Sequence, residues 1–315
     1  MAKLVMQRIA AGIITIFAAS LLIFICTEIL PGDVASALLG RDATPAALAA
    51  IREALHLDLP APLRFLRWIG NFLSGDLGYS LANNRPVSEA LGPRLFNTMF
   101  LAFYTAVMAV PLATILAFWA AVKPTRMLDK LGAFLSATAI SLPEFLIGYL
   151  LILVFAVKWH LFPSLANVQP EASLSDRLYL TFLPMLTLSC VIFSHIFRMT
   201  RAALLGEMRQ AYVTMAELKG LSRSYILMRH VLPNATAPIV YAIALNLAHL
   251  VLGVVVVETI FVYPGLGQWM VDAVSKRDLP IVQALGTIFA AIFIMLNLLA
   301  DLIAVVVNPR LIHTR

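Results

Sequence analysis

Six long apolar stretches run through this chain, at roughly 9–30, 95–120, 131–157, 179–198, 238–262 and 282–307. A helix needs about 20 such residues to cross a hydrocarbon core of about 30 Å, and in that medium it must satisfy its own backbone hydrogen bonds. The pattern predicts an all-α polytopic membrane protein with six transmembrane helices. Composition excludes a soluble domain. Only 13% of the 315 residues are charged, 61% are hydrophobic and the mean hydropathy is +0.90, whereas soluble domains carry about 25% charge. Two cysteines, Cys26 and Cys190, both in apolar stretches, exclude a disulfide framework.

The first stretch has the outline of a secretory leader, with Lys3 and Arg8 ahead of it and Val34-Ala35-Ser36-Ala37 beyond. Its run from Ile9 to Leu30 is longer than a cleavable core of about 7–15 residues, so it reads as a retained anchor. With six spans both termini share a side. That side carries thirteen cations, among them Lys3, Lys123, Lys130, Arg198, Arg209, Arg223 and Arg315, against Asp129, Glu207 and Glu217. The other side carries ten of each sign. The positive side is therefore expected to be cytoplasmic, with both termini inside. This asymmetry accounts for the basic balance of the chain without a nucleic-acid partner.

These spans divide the chain into a first anchor (1–30), a long external segment (31–94) and a five-helix core (95–315) that contains one substantial cytoplasmic loop (199–237). Residues 158–178 and 263–281 are short external links. The chain contains no Gly-Lys dipeptide and so no phosphate-binding Walker A loop, no His-Glu-x-x-His pair and no Gly-x-Ser-x-Gly elbow. It is not expected to be an enzyme.

The cytoplasmic loop carries the most specific pattern. A short helix is expected from about Ala211 to Lys219, with Tyr212, Met215, Ala216 and Lys219 on one face at i, i+3, i+4 and i+7. Gly220 suits the left-handed position that ends a helix, with Lys219 favourably placed in the last turn. Ser222 can cap a second short helix that Pro233 ends. A nine-residue helix is marginal alone in water and has to dock, either in a groove of a partner subunit or on anionic lipid.

Tyr212, Val213, Ala216, Lys219, Gly220 and Leu221, followed by Arg229, His230, Leu232, Asn234 and Ala235, resemble the EAA loop of ABC importer permeases of the dipeptide, oligopeptide and nickel class. The resemblance extends to Leu30-Pro31-Gly32-Asp33, Leu57-Asp58-Leu59-Pro60, Gly75-Asp76-Leu77-Gly78-Tyr79-Ser80 and Pro86-Val87, which are similar to the external segment of the B-type permease subunit. Glu258-Thr259-Ile260-Phe261, Pro264-Gly265-Leu266-Gly267 and Asn308-Pro309-Arg310 are similar to its last third. Glu217 and Leu218 depart from the pattern, which often has arginine and alanine there.

The resemblance implies a MetI-like type I importer fold in a bacterial inner membrane. In it Tyr212, Val213, Met215, Ala216, Glu217, Lys219, Gly220 and Leu221 form a coupling helix seated on an ATP-binding subunit. The implied partners are a homologous second permease, two ATP-binding subunits that hold ATP and magnesium, and a periplasmic or lipid-anchored solute-binding protein. This chain itself would hold no cofactor or metal.

Charged and polar groups inside spans are costly, about 2.5–3.5 kcal/mol for an acid at the bilayer centre. Glu28 and Glu258 lie near external span ends, within reach of headgroups or water. Asn297 and Asp301, four residues apart, suit hydrogen bonding between helices. Glu144 follows Ser141-Leu142-Pro143 within a 27-residue stretch where the proline should break the helix. It is a candidate for the wall of a translocation cavity, with helix packing as the alternative. Asn246, His249 and Gly253 share a face of the fifth span and face the same two readings. The expected function is half of a translocation pathway for peptides or similar solutes, working by alternating access. The alternative is a gradient-driven secondary transporter, although no inverted repeat of that class is visible.

Overall fold

The fold follows from where proline, glycine and capping residues interrupt otherwise continuous apolar helix. The computed structural model describes residues 2–29, 44, 59–124 and 126–307. The motifs at Leu30–Asp33, Leu57–Asp58 and Asn308–Arg310, and the leader-like cleavage sequence, lie outside the described residues.

In chain order the helices are α1 (Ala2–Ile29), α2 (Ala61–Leu73), α3 (Val87–Val122), α4 (Met127–Ser141) and α5 (Glu144–Leu151), which continues as a π-helical segment, Ile152–Lys158. Then follow α6 (Leu174–Leu180), α7 (Phe182–Glu207), α8 (Ala211–Leu218) and α9 (Arg223–Ile226), the last leading through a π-helical segment, Leu227–Val231, into α10 (Leu232–Ile260). The series ends with α11 (Leu266–Ser275) and α12 (Leu279–Val307). The one extended pairing among the described residues is a single antiparallel bridge, Tyr79 with Pro86. The all-α polytopic expectation holds. Five helices are long and apolar enough to cross a membrane, and the bent pair α4 and α5 makes a sixth if it counts as one span.

The break at Pro143 falls where the sequence places it. Leu142 is extended (φ −98°, ψ 136°), as steric conflict with the following proline ring demands, and the helix directions on either side differ by 109°. Pro233, by contrast, does not end a helix. The backbone runs helically from Arg223 to Ile260, because the missing proline N–H falls beside the widened turn Leu227–Val231, where the ladder is already shifted. The link 263–281 is likewise more than a connector, since it contains α11.

The described residues form two compact units. One spans residues 99–263 with the chain ends up to 9 and from 295. It holds two apolar clusters. The larger joins Leu101, Ala109 and Ala117 of α3 with Leu183, Leu188, Ile196 and Phe197 of α7 and Leu250, Val254 and Val257 of α10. Glu258 is fully buried here, not within reach of headgroups or water, and its carbonyl accepts from the Tyr263 amide at 2.8 Å. Tyr263 is also fully buried, so burial pushes its phenol well above the ordinary tyrosine range. Nearby Arg177 opposes the rise and Glu258 adds to it. The α4–α7 crossing is unusually close. Gly132 lies under the ring of buried Phe197, and Asp129, one turn earlier, takes a bidentate bond from Arg201 (2.5 and 3.0 Å). Asp301 pairs with Arg8 of α1.

The other unit comprises residues 10–98 and 264–294. Phe65 of α2 packs edge-on against Phe17 and Phe24 of α1, and Glu28 pairs with Arg64. The Gly75–Ser80 motif forms a turn with left-handed glycines (Gly75 φ 87°, Gly78 φ 79°). Buried Asp278 accepts from the Ser80 hydroxyl (2.5 Å) and from the Leu81 and Ala82 amides (3.1 and 3.3 Å). The Pro264–Gly267 motif is held by α3, where Asn97 donates to the Pro264 carbonyl (2.9 Å) and the Thr98 hydroxyl accepts from the Leu266 amide (2.8 Å), capping α11.

Candidate functional site

Two features of the larger unit carry the residues singled out in the sequence. The first is a cavity of about 370 Å³ lined by α5, α7 and α10. It takes Glu144 from α5, Leu188, Val191, Ile192, His195 and Met199 from α7, and Leu245, Asn246, His249, Leu250 and Gly253 from α10. The helical repeat explains the lining, because positions 188, 192, 195 and 199 form one stripe of α7 and positions 246, 249, 250 and 253 one stripe of α10. Glu144, Asn246 and His249, scattered over a hundred residues of sequence, therefore share one wall.

Local backbone places each group. Pro143 ends the previous helix and sets Glu144 in the first turn of α5, where the positive end of the helix favours an anion. Gly253 gives the carboxylate room, since a β-carbon there would stand 3.0 and 3.2 Å from its two oxygens. His249 Nδ1 lies 2.8 Å from the Leu245 carbonyl, which can only accept, so that nitrogen carries the proton. Asn246 donates to the Ala242 carbonyl at 2.8 Å. His195 is the polar cavity-lining residue that the sequence reading did not name. Its signal is a histidine on the same stripe as Leu188 and Ile192 inside an otherwise apolar span.

The second feature is α8 with its flanks. Gly220 (φ 78°) closes the helix, and the Leu221 amide bonds back to the Ala216 carbonyl at 3.3 Å, the six-to-one pattern of a glycine-ended helix. The Ser222 hydroxyl accepts from the Tyr225 amide at 3.4 Å and caps α9 as expected. Val213 and Ala216 turn inward. They join Ala121 and Val122 of α3, Leu204 of α7, Ile226 and Leu227, and Ala235 and Ile239 of α10. This corrects the expected docking face, because these two side chains are buried in their own chain and anchor the helix. The exposed members are Tyr212, Met215, Glu217, Lys219, Gly220 and Leu221, and beside them Leu218 is the most open of the large apolar side chains of this helix and its flanks at 78%.

Tyr212 has a second role. Its hydroxyl donates to Glu207 (2.9 Å) and accepts from the Asn234 amide (3.3 Å), tying the end of α7 to the start of α10. Burial pushes its phenol up from the ordinary value; the Asn234 bond opposes the shift and Glu207 adds to it. Among the described residues no cluster of three histidine, cysteine or acidic side chains could hold a metal ion.

Comparison with known proteins bears on both features. The family described as "Binding-protein-dependent transport system inner membrane component" matches residues 109–313, which contain the cavity and α8. Residues 1–102 match "Binding-prot-dependent transport system membrane comp, N-term". The chain is 34% identical over 309 residues to the glutathione transport system permease protein GsiC of Salmonella paratyphi A, covering 98% of each chain. It is 33% identical over the same length to GsiC of Escherichia coli strain K12, again covering 98% of each.

Proposed function

Because the chain belongs to the family of binding-protein-dependent transport system inner membrane components, and is thus an inner-membrane permease subunit of an ABC importer, we propose that it forms half of a translocation pathway for small peptides or peptide-like solutes. A second permease completes the pathway, two ATP-binding subunits drive it from the cytoplasm, and a solute-binding protein delivers cargo outside. Both termini and α8 face the cytoplasm in this reading, which rests on the excess of Lys and Arg on that side. Peptide-class cargo is supported by relatives whose named function is glutathione transport, glutathione being itself a small peptide.

The observation that carries the coupling role is the attachment of α8. Its exposed side is open for a partner, while Val213 and Ala216 are packed into the cluster that holds the ends of α7 and α10. Those are the two helices that supply most of the cavity lining. Force applied to α8 thus reaches the cavity through packed side chains. Driving a two-state membrane assembly from about 1:99 to 99:1 needs roughly 5.5 kcal/mol of differential binding. This chain has no nucleotide loop to supply it, so the energy enters through α8.

Met215→Asp with Leu218→Asp tests the reading on two exposed positions that the fold does not need. ATP-driven uptake and the stimulation of ATP hydrolysis by loaded binding protein should both fall at least about tenfold, with the amount of inserted protein unchanged. Coupled uptake at the native rate in the double variant would show that the partner does not sit on this face.

A further inference from the structure

The cavity is rich in hydrogen-bond acceptors and contains a carboxylate without a counter-charge. Glu144 is half-buried at the break of a membrane span, yet among the described residues it has no hydrogen-bonding or ion-pairing partner. Among the described residues no lysine or arginine lines the cavity. A carboxylate in such surroundings is unfavourable as a bare anion: it takes up a proton, or it is met by something cationic or strongly donating. The other polar groups do not meet that need. His249 has its Nδ1 proton directed at the Leu245 carbonyl, which leaves Nε2 as an acceptor in the neutral ring. Asn246 directs an N–H at the Ala242 carbonyl and keeps its oxygen as an acceptor. Gly253 holds open the space beside the two carboxylate oxygens. His195 also lines the cavity, but its imidazole makes no hydrogen bond to Glu144; the rest of the lining is apolar, and the volume lies in the range of small-molecule pockets, about 300–1,000 Å³.

We propose that this cavity is a cargo subsite for a primary ammonium group, with Glu144 as its counter-charge and Gly253 as the residue that clears space for it. The proposal rests on the permease reading above. An ammonium brings three donors and a positive charge to a wall whose carboxylate, amide oxygen and imidazole nitrogens can accept them. Both the amino terminus of a peptide and a lysine-like side chain present that chemistry.

The test is chemical protection in inner-membrane vesicles containing the whole importer. Glu144 is labelled with dicyclohexylcarbodiimide, and the modified peptide is quantified by mass spectrometry, with the Glu144→Gln chain as the blank. Trialanine at saturation should slow labelling about tenfold, and N-acetyl-trialanine should leave it unchanged. Protection by N-acetyl-Ala-Lys-Ala would widen the site to side-chain ammonium groups, and its absence would confine it to amino termini; both results support the subsite. Equal labelling rates with all three peptides would overturn it. So would a Glu144 that never reacts, because a protein group would then already cover the carboxylate. ATP-driven uptake is measured on the same vesicles. Uptake that persists without amine protection removes only the ammonium subsite, whereas loss of ATP-driven uptake in the unmodified importer removes the permease reading beneath it.

Discussion

Alanine at Gly132 should destabilise the protein by an amount that can be worked out from the α4–α7 crossing. A β-carbon there would stand 2.4, 2.8 and 3.1 Å from three ring carbons of Phe197, where carbon contacts are comfortable at about 3.5–4.0 Å. Relief requires a movement of about 1 Å by a buried ring or by the two helices. Overpacking of this kind costs about 1–3 kcal/mol. Replacing a helical glycine also gains up to about 1 kcal/mol in propensity, so a mid-range overpacking cost of about 2 kcal/mol leaves a net loss of at least about 1 kcal/mol. Gly92→Ala and Gly206→Ala isolate that gain, since nothing stands within 4 Å of a β-carbon at either position.

The assay is reversible unfolding by dodecyl sulfate in mixed micelles. Gly132→Ala should unfold earlier than wild type and the two control variants no earlier. Adding Phe197→Leu should recover part of the loss, giving a coupling above about 0.5 kcal/mol in the double-mutant cycle. Identical transitions for the three alanine variants would refute the close crossing, and with it the argument that small residues set the separation of these helices.

Two further outcomes follow from the same unit. Asp129→Asn leaves the Arg201 guanidinium without its charge partner. A fully buried pair would lose about 3–5 kcal/mol, but Arg201 is 32% exposed and partly hydrates, so about 1–3 kcal/mol is expected, read on the same titration. Tyr263 supplies a pH signature. Burial holds its hydroxyl protonated, so the unfolded chain ionises first, near pH 10. The stability it contributes is complete below that pH and is lost as pH rises towards the folded-state ionisation. Unfolding followed from pH 8 to 11 should show a shallower alkaline loss for Tyr263→Phe than for wild type; parallel curves would refute the assignment.

Much of the fold was legible because the bilayer imposes strong rules on sequence. Apolar length marks the spans, Pro143 marks the break, and Gly220 with Ser222 marks the ends of the short helices between the fourth and fifth spans, each through local backbone chemistry. Pro233 misled for a physical reason. A proline ends a helix only where its missing N–H is needed, and the π-helical turn before it had already shifted the ladder. The helix within 263–281 carries a local apolar repeat at Leu266, Met270 and Ala273 that was passed over, whereas the buried state of Glu258 was hidden because it leaves only a tertiary pattern. The same holds for Asp129 and Arg201, which read as loop charges until α4 and α7 are brought together.

The candidate site divides along the same line. Periodicity and capping act over a few residues, so they were enough to place a glycine-ended helix between the fourth and fifth spans, while the permease reading came from the resemblance of its motif to the EAA loop. Which side of that helix is anchored, and that Glu144, His195, Asn246 and His249 share a cavity beside Gly253, was decided by the packing of α5, α7 and α10. Burial is a property of how helices are arranged in space, and four polar residues scattered through an apolar sequence become neighbours only when that arrangement brings them to one wall.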